Sequence, residues 1–373
     1  MSTTEAYLDL HRHAPVAMLD HEITDRRAWT RETVRATDWT VTLGDAAITE
    51  ILALAATLDR QPLPVLMLSP DQFALAACRQ TMARVRAILR DGIGVALVDR
   101  LPLDDLTREQ AIAVSWVLGQ LIATPVAQKW DGTMIYDVTD TGRQFGYGVR
   151  GSWTNVELSF HTDNAFGVAP PDYVGLLCLM PAREGGISRF CSLYTVHNEM
   201  LRRHRRHLAR LYQPFYYDRQ AEHACGDPKV SWVPCFHFAA GRLRARFSPG
   251  LVRKGYALME TRLDAEAEEA LEALRDVMQD TRLWMEFTIE RGQLQYLNNR
   301  EFAHYRSEFK DDETRKRHLI RLWFREQGRP FYDGGVAPPS AAACSSQNGM
   351  SISRYIVVAV VRCSRAWSGV PVR

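Results

Sequence analysis

Apolar positions along the chain recur at two spacings, and the places where one gives way to the other mark out its elements. From Ser69, residues Phe73, Ala77, Val85 and Leu89 fall at helical spacing, and Gly92 closes the run, which predicts a helix. GVALVDRL follows as a buried strand. Thr107 and Gln110 then form a T-x-x-Q capping box before QAIAVSWVLGQLIA, a helix that ends ahead of Pro125. YVGLLCLM (173–180) is a continuous apolar run of strand length. WMEFTIE-RG-QLQYLNN (284–299) reads as a hairpin about Arg291–Gly292, and HLIRLWFRE (318–326) alternates cleanly. Two helices interrupt the strands. One starts at Thr195, with Val196, Met200, Leu208 and Leu211 under the basic run RRHRRHLAR. The other starts at Asp264 and carries Leu271, Leu274 and Met278.

Many short strands, a few helical insertions and no βαβ alternation predict a mainly β chain (α+β) with a jelly-roll core flanked by helices. No internal repeat is visible. Residues 1–68 form an N-terminal extension packing on the core, with Trp29, Trp39 and the short alternation Trp39–Val41–Leu43. Residues 69–335 form the jelly-roll domain. In 336–373 a small-residue run, APPSAAACSSQNGMS, precedes an isolated apolar segment, which suggests a poorly ordered tail.

Composition narrows the classes. A net charge of +2 gives no argument for nucleic acid or an acidic membrane surface. The opening MSTTEAYLDLHRHAP lacks the apolar segment of a secretory signal, and no run of eighteen apolar residues spans a bilayer. The seven cysteines are scattered, with no C-x-x-C pair, so a reducing, cytoplasmic setting is expected.

Candidate chemistry begins in LSFHTDNAFGVAPPD (158–172). On an extended segment His161 and Asp163, two apart, point the same way and face a common space. They are either satisfied locally or hold something between them. A metal on two ligands would be held weakly, so a third is expected among His197, His204, His207, His223, His237, His304 and His318. The first three sit on the basic helix, where histidines are usually solvated, and His318 points away from the arginine face of its strand. His304 stands out by context, between the QLQYLNN strand and an arginine-rich one, although spacing alone does not select it. In RKRHLIRLWF, Arg317, Leu319, Arg321 and Trp323 share one face, with the two arginines about 13 Å apart at roughly 3.3 Å per residue. Burying such a face without anions is costly. Two guanidiniums there could grip a small dianion, or the strand could be an edge with one solvated face.

The ordered set H-T-D, PPDYVGLL, EGGIS, LNNREFAHYR and RKRHLIRLWFR resembles the taurine and chlorophenoxyacetate dioxygenase (TauD/TfdA) family of iron(II)/2-oxoglutarate oxygenases, from about Gly92 to Tyr332. The resemblance implies a double-stranded β-helix, with His161, Asp163 and His304 as its two-histidine, one-carboxylate triad. It implies that Arg317 pairs with the distal carboxylate of 2-oxoglutarate, helped by the Ser188 hydroxyl where the family usually has threonine. Arg321 matches a second arginine that in some members contacts an anionic substrate. Such a triad covers three sites of an octahedral iron and leaves three, for 2-oxoglutarate and dioxygen. The implied reaction is oxidation, most simply hydroxylation, of a small molecule, with 2-oxoglutarate converted to succinate and carbon dioxide. An intact Asp163 disfavours halogenation, which in related enzymes uses Ala or Gly there.

Two other readings stand beside it. A zinc hydrolase would use the same ligands to activate water but leaves Arg317 and Ser188 without a purpose. A non-catalytic jelly-roll binding protein would leave the triad idle. Gln128, Tyr136 and Asp137 are candidates for the substrate mouth, and Phe160, Asn164 and Phe166 for pocket walls. Asn298 and Asn299 are either turn residues or pocket lining. The basic run of the Thr195 helix reads as a solvated face, balanced by the acidic helix after Asp264. No nucleic-acid or membrane partner is expected, and a homodimer is the default assembly.

Overall fold

The structure is a computed structural model that describes residues 6–11, 17–144, 149–328 and Tyr332. The expected tail, 336–373, lies outside the described residues.

Two sheets carry the core. The larger runs in the order Thr40–Thr42, Val95–Asp99, Leu294–Asn298, Tyr173–Met180, His318–Arg325 and Thr124–Val126, with Tyr136–Val138 also paired to His318–Arg325. The smaller runs Trp284–Phe287, Ser188–Ser192, Phe302–Arg306 and Leu158–His161. All neighbours within these sheets are antiparallel except Thr40–Thr42 on Val95–Asp99. The segment before residue 69 thus contributes an edge strand to the larger sheet. It also contributes the helix Asp45–Arg60, whose Ile51 and Leu54 join the main core.

Strand alternation decides which residues face the helices. On His318–Arg325, Ile320, Leu322 and Phe324 pack with the helices Asp45–Arg60, Ala76–Asp91 and Arg108–Gln120. Arg321 and Trp323 project to the opposite side. On the smaller sheet, Cys191 and Ala303 pack with the helices Leu193–Arg203, Arg205–Leu211 and Ala265–Met278, while His304 takes the inner side. Helices therefore cover both outer faces, while the inner faces combine the polar side chains of the site with two smaller apolar clusters, one around Leu97, Cys178 and Leu319 and one around Val126, Val174 and Trp323. This is the flanked jelly roll that the pattern predicts.

Several expected elements form as read. The capping box is complete: the Gln110 N–H donates to Thr107 Oγ1 at 3.2 Å, and the Thr107 N–H to Gln110 Oε1 at 2.8 Å. Tyr173–Met180 coincides with its apolar run. Asp264 caps Ala265–Met278 by accepting the Ala267 N–H at 2.7 Å.

Others differ. The helix expected from Ser69 begins at Ala76, because Ser69 caps only a short 3-10 turn, Pro70–Gln72. Residues 284–299 are not a hairpin: Trp284–Phe287 pairs in the smaller sheet and Leu294–Asn298 in the larger. The turn at Arg291–Gly292 is real, with Gly292 at φ 88, but it carries the chain from one sheet to the other. A Cβ at Gly292 would sit 2.7 Å from the Leu101 carbonyl oxygen, so the position admits only glycine. The helix expected from Thr195 is two, broken at His204. His197 is buried, not solvated, with its Nε2 2.8 Å from the Tyr212 hydroxyl. The basic run is solvated only in part: exposed Arg206 pairs with Glu266 at 3.1 Å, whereas Arg210 is buried and pairs with Asp264 at 3.1 Å.

Candidate metal centre

The strand Leu158–His161 ends at His161, and Asp163 lies in the turn beyond it rather than on the strand itself. Two devices hold that turn. Thr162 exchanges hydrogen bonds with the Phe247 backbone, and the Asn299 amide clamps Asp163 from both sides. Asn299 Oδ1 accepts the Asp163 N–H at 2.7 Å, and its Nδ2 donates to the Asp163 carbonyl at 2.9 Å. Asn164, at φ 54, then turns the chain away, a conformation asparagine tolerates. In register, His304 sits opposite His161 on the neighbouring strand.

Three ligand atoms result. Those of His161, Asp163 and His304 lie within 4.8 Å of one another. His161 Nε2 is 3.6 Å and His304 Nε2 3.7 Å from Asp163 Oδ1. These separations are too long for hydrogen bonds and fit three donors around one ion at about 2.1 Å from each. The His161 Nδ1–H donates to the Ser159 carbonyl at 2.8 Å, which leaves the Nε2 lone pair for a metal. Burial, reinforced by His161, pushes the His304 imidazole down to about 3, so the ring is neutral. Burial alone would raise the Asp163 carboxyl, but the Arg321 guanidinium beside it holds it well below the ordinary range. Neutral imidazoles and an ionised carboxylate are the forms that coordinate iron(II).

The second carboxylate oxygen is occupied. Asp163 Oδ2 accepts from Arg321 Nη1 at 3.0 Å and from Trp323 Nε1 at 2.9 Å. Arg321 also donates through Nε to Gln128 Oε1 at 2.8 Å, while Gln128 Nε2 donates to the carbonyls of Met134 and Arg321. Arg321, matched by resemblance to an arginine that contacts an anionic substrate in some members, thus bonds Asp163 through Nη1 and Gln128 through Nε. A buried carboxylate with one oxygen on a metal needs donors on the other, and Arg321 supplies one.

A second polar group lies further along the same interior. Arg317 is 3% exposed and Arg306 is 7% exposed, and among the described residues neither forms an ion pair. Arg317 Nη1 and Arg306 Nε and Nη1 are buried without a hydrogen-bond partner. Both guanidiniums rest on the Phe309 ring, at 5.1 and 4.8 Å from its centroid. Burial pushes Arg317 down to about 10; burial and then Arg317 push Arg306 down to about 9. Ser188 is buried and directly opposite Arg306 in register. Two buried cations with unspent donors beside a hydroxyl fit the far carboxylate of a small diacid.

The structure sorts the remaining candidates. Tyr136 is buried under Arg321, whose Cζ stands 4.6 Å from its ring centroid. Asp137 faces outward and pairs with Arg108 at 3.0 Å and His318 at 2.6 Å. Phe166 packs in the second core cluster, with Phe160 against it. Asn298 donates to the Leu89 carbonyl at 3.1 Å, a structural role. The sequence offers no reading of Arg306 as a site residue, and it places Trp323 on the arginine face without showing its bond to Asp163. Their signal was available: each lies two residues along a strand from a residue already singled out, on the same face.

Comparison with known proteins agrees with this geometry. The sequence model described as "Taurine catabolism dioxygenase TauD, TfdA family" matches residues 61–323, most of the chain. The chain belongs to that family. It is an iron(II)/2-oxoglutarate-dependent oxygenase acting on a small molecule. Among TauD/TfdA relatives, it is 28% identical over 325 residues to the FR-33289 synthase of Streptomyces rubellomurinus (strain ATCC 31215), covering 85% of this chain and 94% of that protein. It is 25% identical over 332 residues to the taurine hydroxylase-like protein SAT17 of Stachybotrys chartarum (strain CBS 109288 / IBT 7711), covering 84% and 82%. The fold is similar to that of an asparagine oxygenase solved with Fe(II), hydroxyasparagine and succinate. That match has a TM-score of 0.60 and 19% identity, covering 80% of this chain and 100% of that one. It is also similar to the non-heme iron oxygenase OrfP with Fe and alpha-ketoglutaric acid, at TM-score 0.57 and 16% identity, covering 77% and 94%. No helix among the described residues is long and apolar enough to cross a membrane.

Proposed function

We propose that His161, Asp163 and His304 hold the iron, that Arg317 and Ser188 receive the far carboxylate of 2-oxoglutarate, and that the substrate is hydroxylated. The observation that carries the reading is the convergence of two imidazole nitrogens and one carboxylate oxygen within 4.8 Å. Iron(II) with 2-oxoglutarate supplies, when bound, an oxidative decarboxylation to succinate and carbon dioxide that activates oxygen against a substrate C–H bond.

The chain's own residues do the rest. Arg321 and Trp323 fix Asp163 so that it offers a single oxygen to the metal. The Asn299 clamp sets where that oxygen lies, and the Ser159 carbonyl sets the tautomer of His161. Arg317 neutralises a carboxylate in a site where water cannot. Arg306, directly opposite Ser188 in register, adds a second positive charge on the same side.

The test is turnover of 2-oxoglutarate in a panel of small acids, scored by succinate release against oxygen uptake. Iron-dependent succinate formation that disappears in His304→Ala and Asp163→Ala is the expected result. Wild-type turnover in either variant would remove that residue from the metal site.

A further inference from the structure

A cavity of about 120 Å³ lies among the segment at Leu10–His11, the hairpin Phe236–Ala239/Arg242–Ala245 and the turn after Asn299. Leu10, His11, His237, Arg244, Arg246 and Arg300 line it. His237 stands directly opposite Arg244 in the hairpin register. Arg244 Nη1 and Arg300 Nη1 each lie 3.9 Å from the same atom, Asp172 Oδ1, so the two guanidiniums converge on one point. That separation is too long for a hydrogen bond. Among the described residues neither guanidinium donates one, and Arg300 Nε is buried without a partner.

The charges here do not balance. Asp172 is the carboxylate that faces these cations, and its other oxygen accepts the Glu326 N–H at 3.0 Å. Glu301 is within electrostatic reach of Arg300 but is paired with Arg242 at 2.9 Å. Arg246 donates to backbone carbonyls, to Ala165 at 3.0 Å and also to Gly167 and Val168, and forms no ion pair among the described residues. Arg325 adds a further positive charge within reach of Arg300. His237 registers the resulting field: burial, then Arg244 and Arg300, push its imidazole down. Three lining arginines against one carboxylate leave a surplus that costs free energy unless an anion completes it.

We propose that this cavity is a second anion site, apart from the iron centre, and that it takes a phosphate group from solution. No residue of the triad lines it, and neither do Arg306, Arg317 or Arg321. It meets the iron site through backbone alone: Arg246 holds carbonyls that follow Asp163, and Arg300 follows the Asn299 clamp. A phosphate group brings close to two negative charges and several acceptor oxygens, which matches the surplus charge and donors arriving from two segments. A single carboxylate brings one charge and leaves part of the surplus standing. The volume fits one such group and falls well short of the roughly 300–1,000 Å³ of a site that encloses a larger molecule.

The experiment is calorimetric titration of the full chain, without added metal, using inorganic phosphate, methyl phosphate and acetate. The expected result is saturable phosphate binding, with acetate weaker by roughly tenfold or more and a similar loss in Arg300→Met and in Arg244→Met. Arg244 is half-exposed, so its variant keeps the test open should Arg300→Met fail to fold. Arg317→Met is expected to bind phosphate as the wild type does, and phosphate is expected to slow amide exchange across 163–172 and 236–245. Methyl phosphate binding as well as phosphate assigns the site to the end group of a larger molecule; weaker binding assigns it to the free ion, and either result bears out the site. Absence of saturable binding, acetate as tight as phosphate, or binding lost in Arg317→Met and kept in Arg244→Met would overturn it. The titration needs neither iron nor 2-oxoglutarate, so its outcome is independent of the oxygenase reading.

Discussion

Arg321 Nη1 lies 3.0 Å from Asp163 Oδ2, while the imidazoles of His161 and His304 approach Oδ1. One carboxylate thus has its two oxygens assigned to different tasks, one toward the metal position and one anchored in the protein. The indole of Trp323, at 2.9 Å, shares the anchoring. Because Arg321 is itself held by Gln128, the orientation of Asp163 is set by a chain of buried hydrogen bonds.

Removing a link of that chain loosens the metal without touching a ligand. Trp323→Phe keeps the ring and deletes the donor. Its expected effect is a loss of about tenfold in iron or cobalt affinity, the usual scale for partners of metal ligands. Metal titration of the stripped chain checks it; an unchanged affinity would mean that Arg321 alone suffices.

Arg317 and Arg306 act on the cosubstrate instead. Arg317→Met is expected to raise the 2-oxoglutarate needed to develop the anaerobic visible band by roughly 10- to 100-fold, the loss of a charge-assisted pair. Metal affinity stays nearly unchanged. Arg306→Met shifts the same curve by less, because Arg306 also spends Nη2 on the Thr154 and Val156 carbonyls. If iron affinity fell and cosubstrate dependence did not move, the assignment of Arg317 would be wrong.

Asn299→Ala leaves the Asp163 N–H and carbonyl without the side chain that joins them. Buried groups stripped of partners cost about 1–3 kcal/mol. The variant is expected to unfold at lower denaturant and to bind iron more weakly, since the same bonds place the ligand. Chemical denaturation beside metal titration reads both effects.

His197 gives the fold a pH dependence away from the metal. Burial pushes its imidazole down to about 4, against an ordinary value of 6.5. As pH falls below 6.5 the unfolded chain takes up a proton there, and the folded chain does not until near 4. The stability contributed by the neutral ring is whole above 6.5 and declines between 6.5 and 4, by up to roughly 3 kcal/mol. His197→Gln is expected to flatten that part of the melting temperature against pH. An unaltered acid slope would place the sensitivity elsewhere.

The parts of this molecule legible in its sequence are those set by local chemistry. The apolar run at Tyr173–Met180, the alternation of His318–Arg325 and the capping box at Thr107 and Gln110 depend on neighbours a few residues away. The 284–299 segment reads as a hairpin because a turn at Gly292 announces a reversal but not the sheet to which each arm pairs. That choice is made by Ser188–Ser192 and Tyr173–Met180, a hundred residues upstream in round terms. The same holds in the site. His161 and Asp163 are two apart in sequence and legible as a pair, and His304 needs the family resemblance. Arg321 was visible as a costly buried cation, but its partner, 158 residues away, was not.

The most direct test is a crystal structure of the full chain grown without oxygen in iron(II) and 2-oxoglutarate, with data collected across the iron absorption edge. A single anomalous peak within about 2.3 Å of His161 Nε2, Asp163 Oδ1 and His304 Nε2, with the far carboxylate of the diacid on Arg317, is the result expected here. An iron peak away from that trio, or a diacid bound where Arg317 does not reach it, would contradict the assignment of the site.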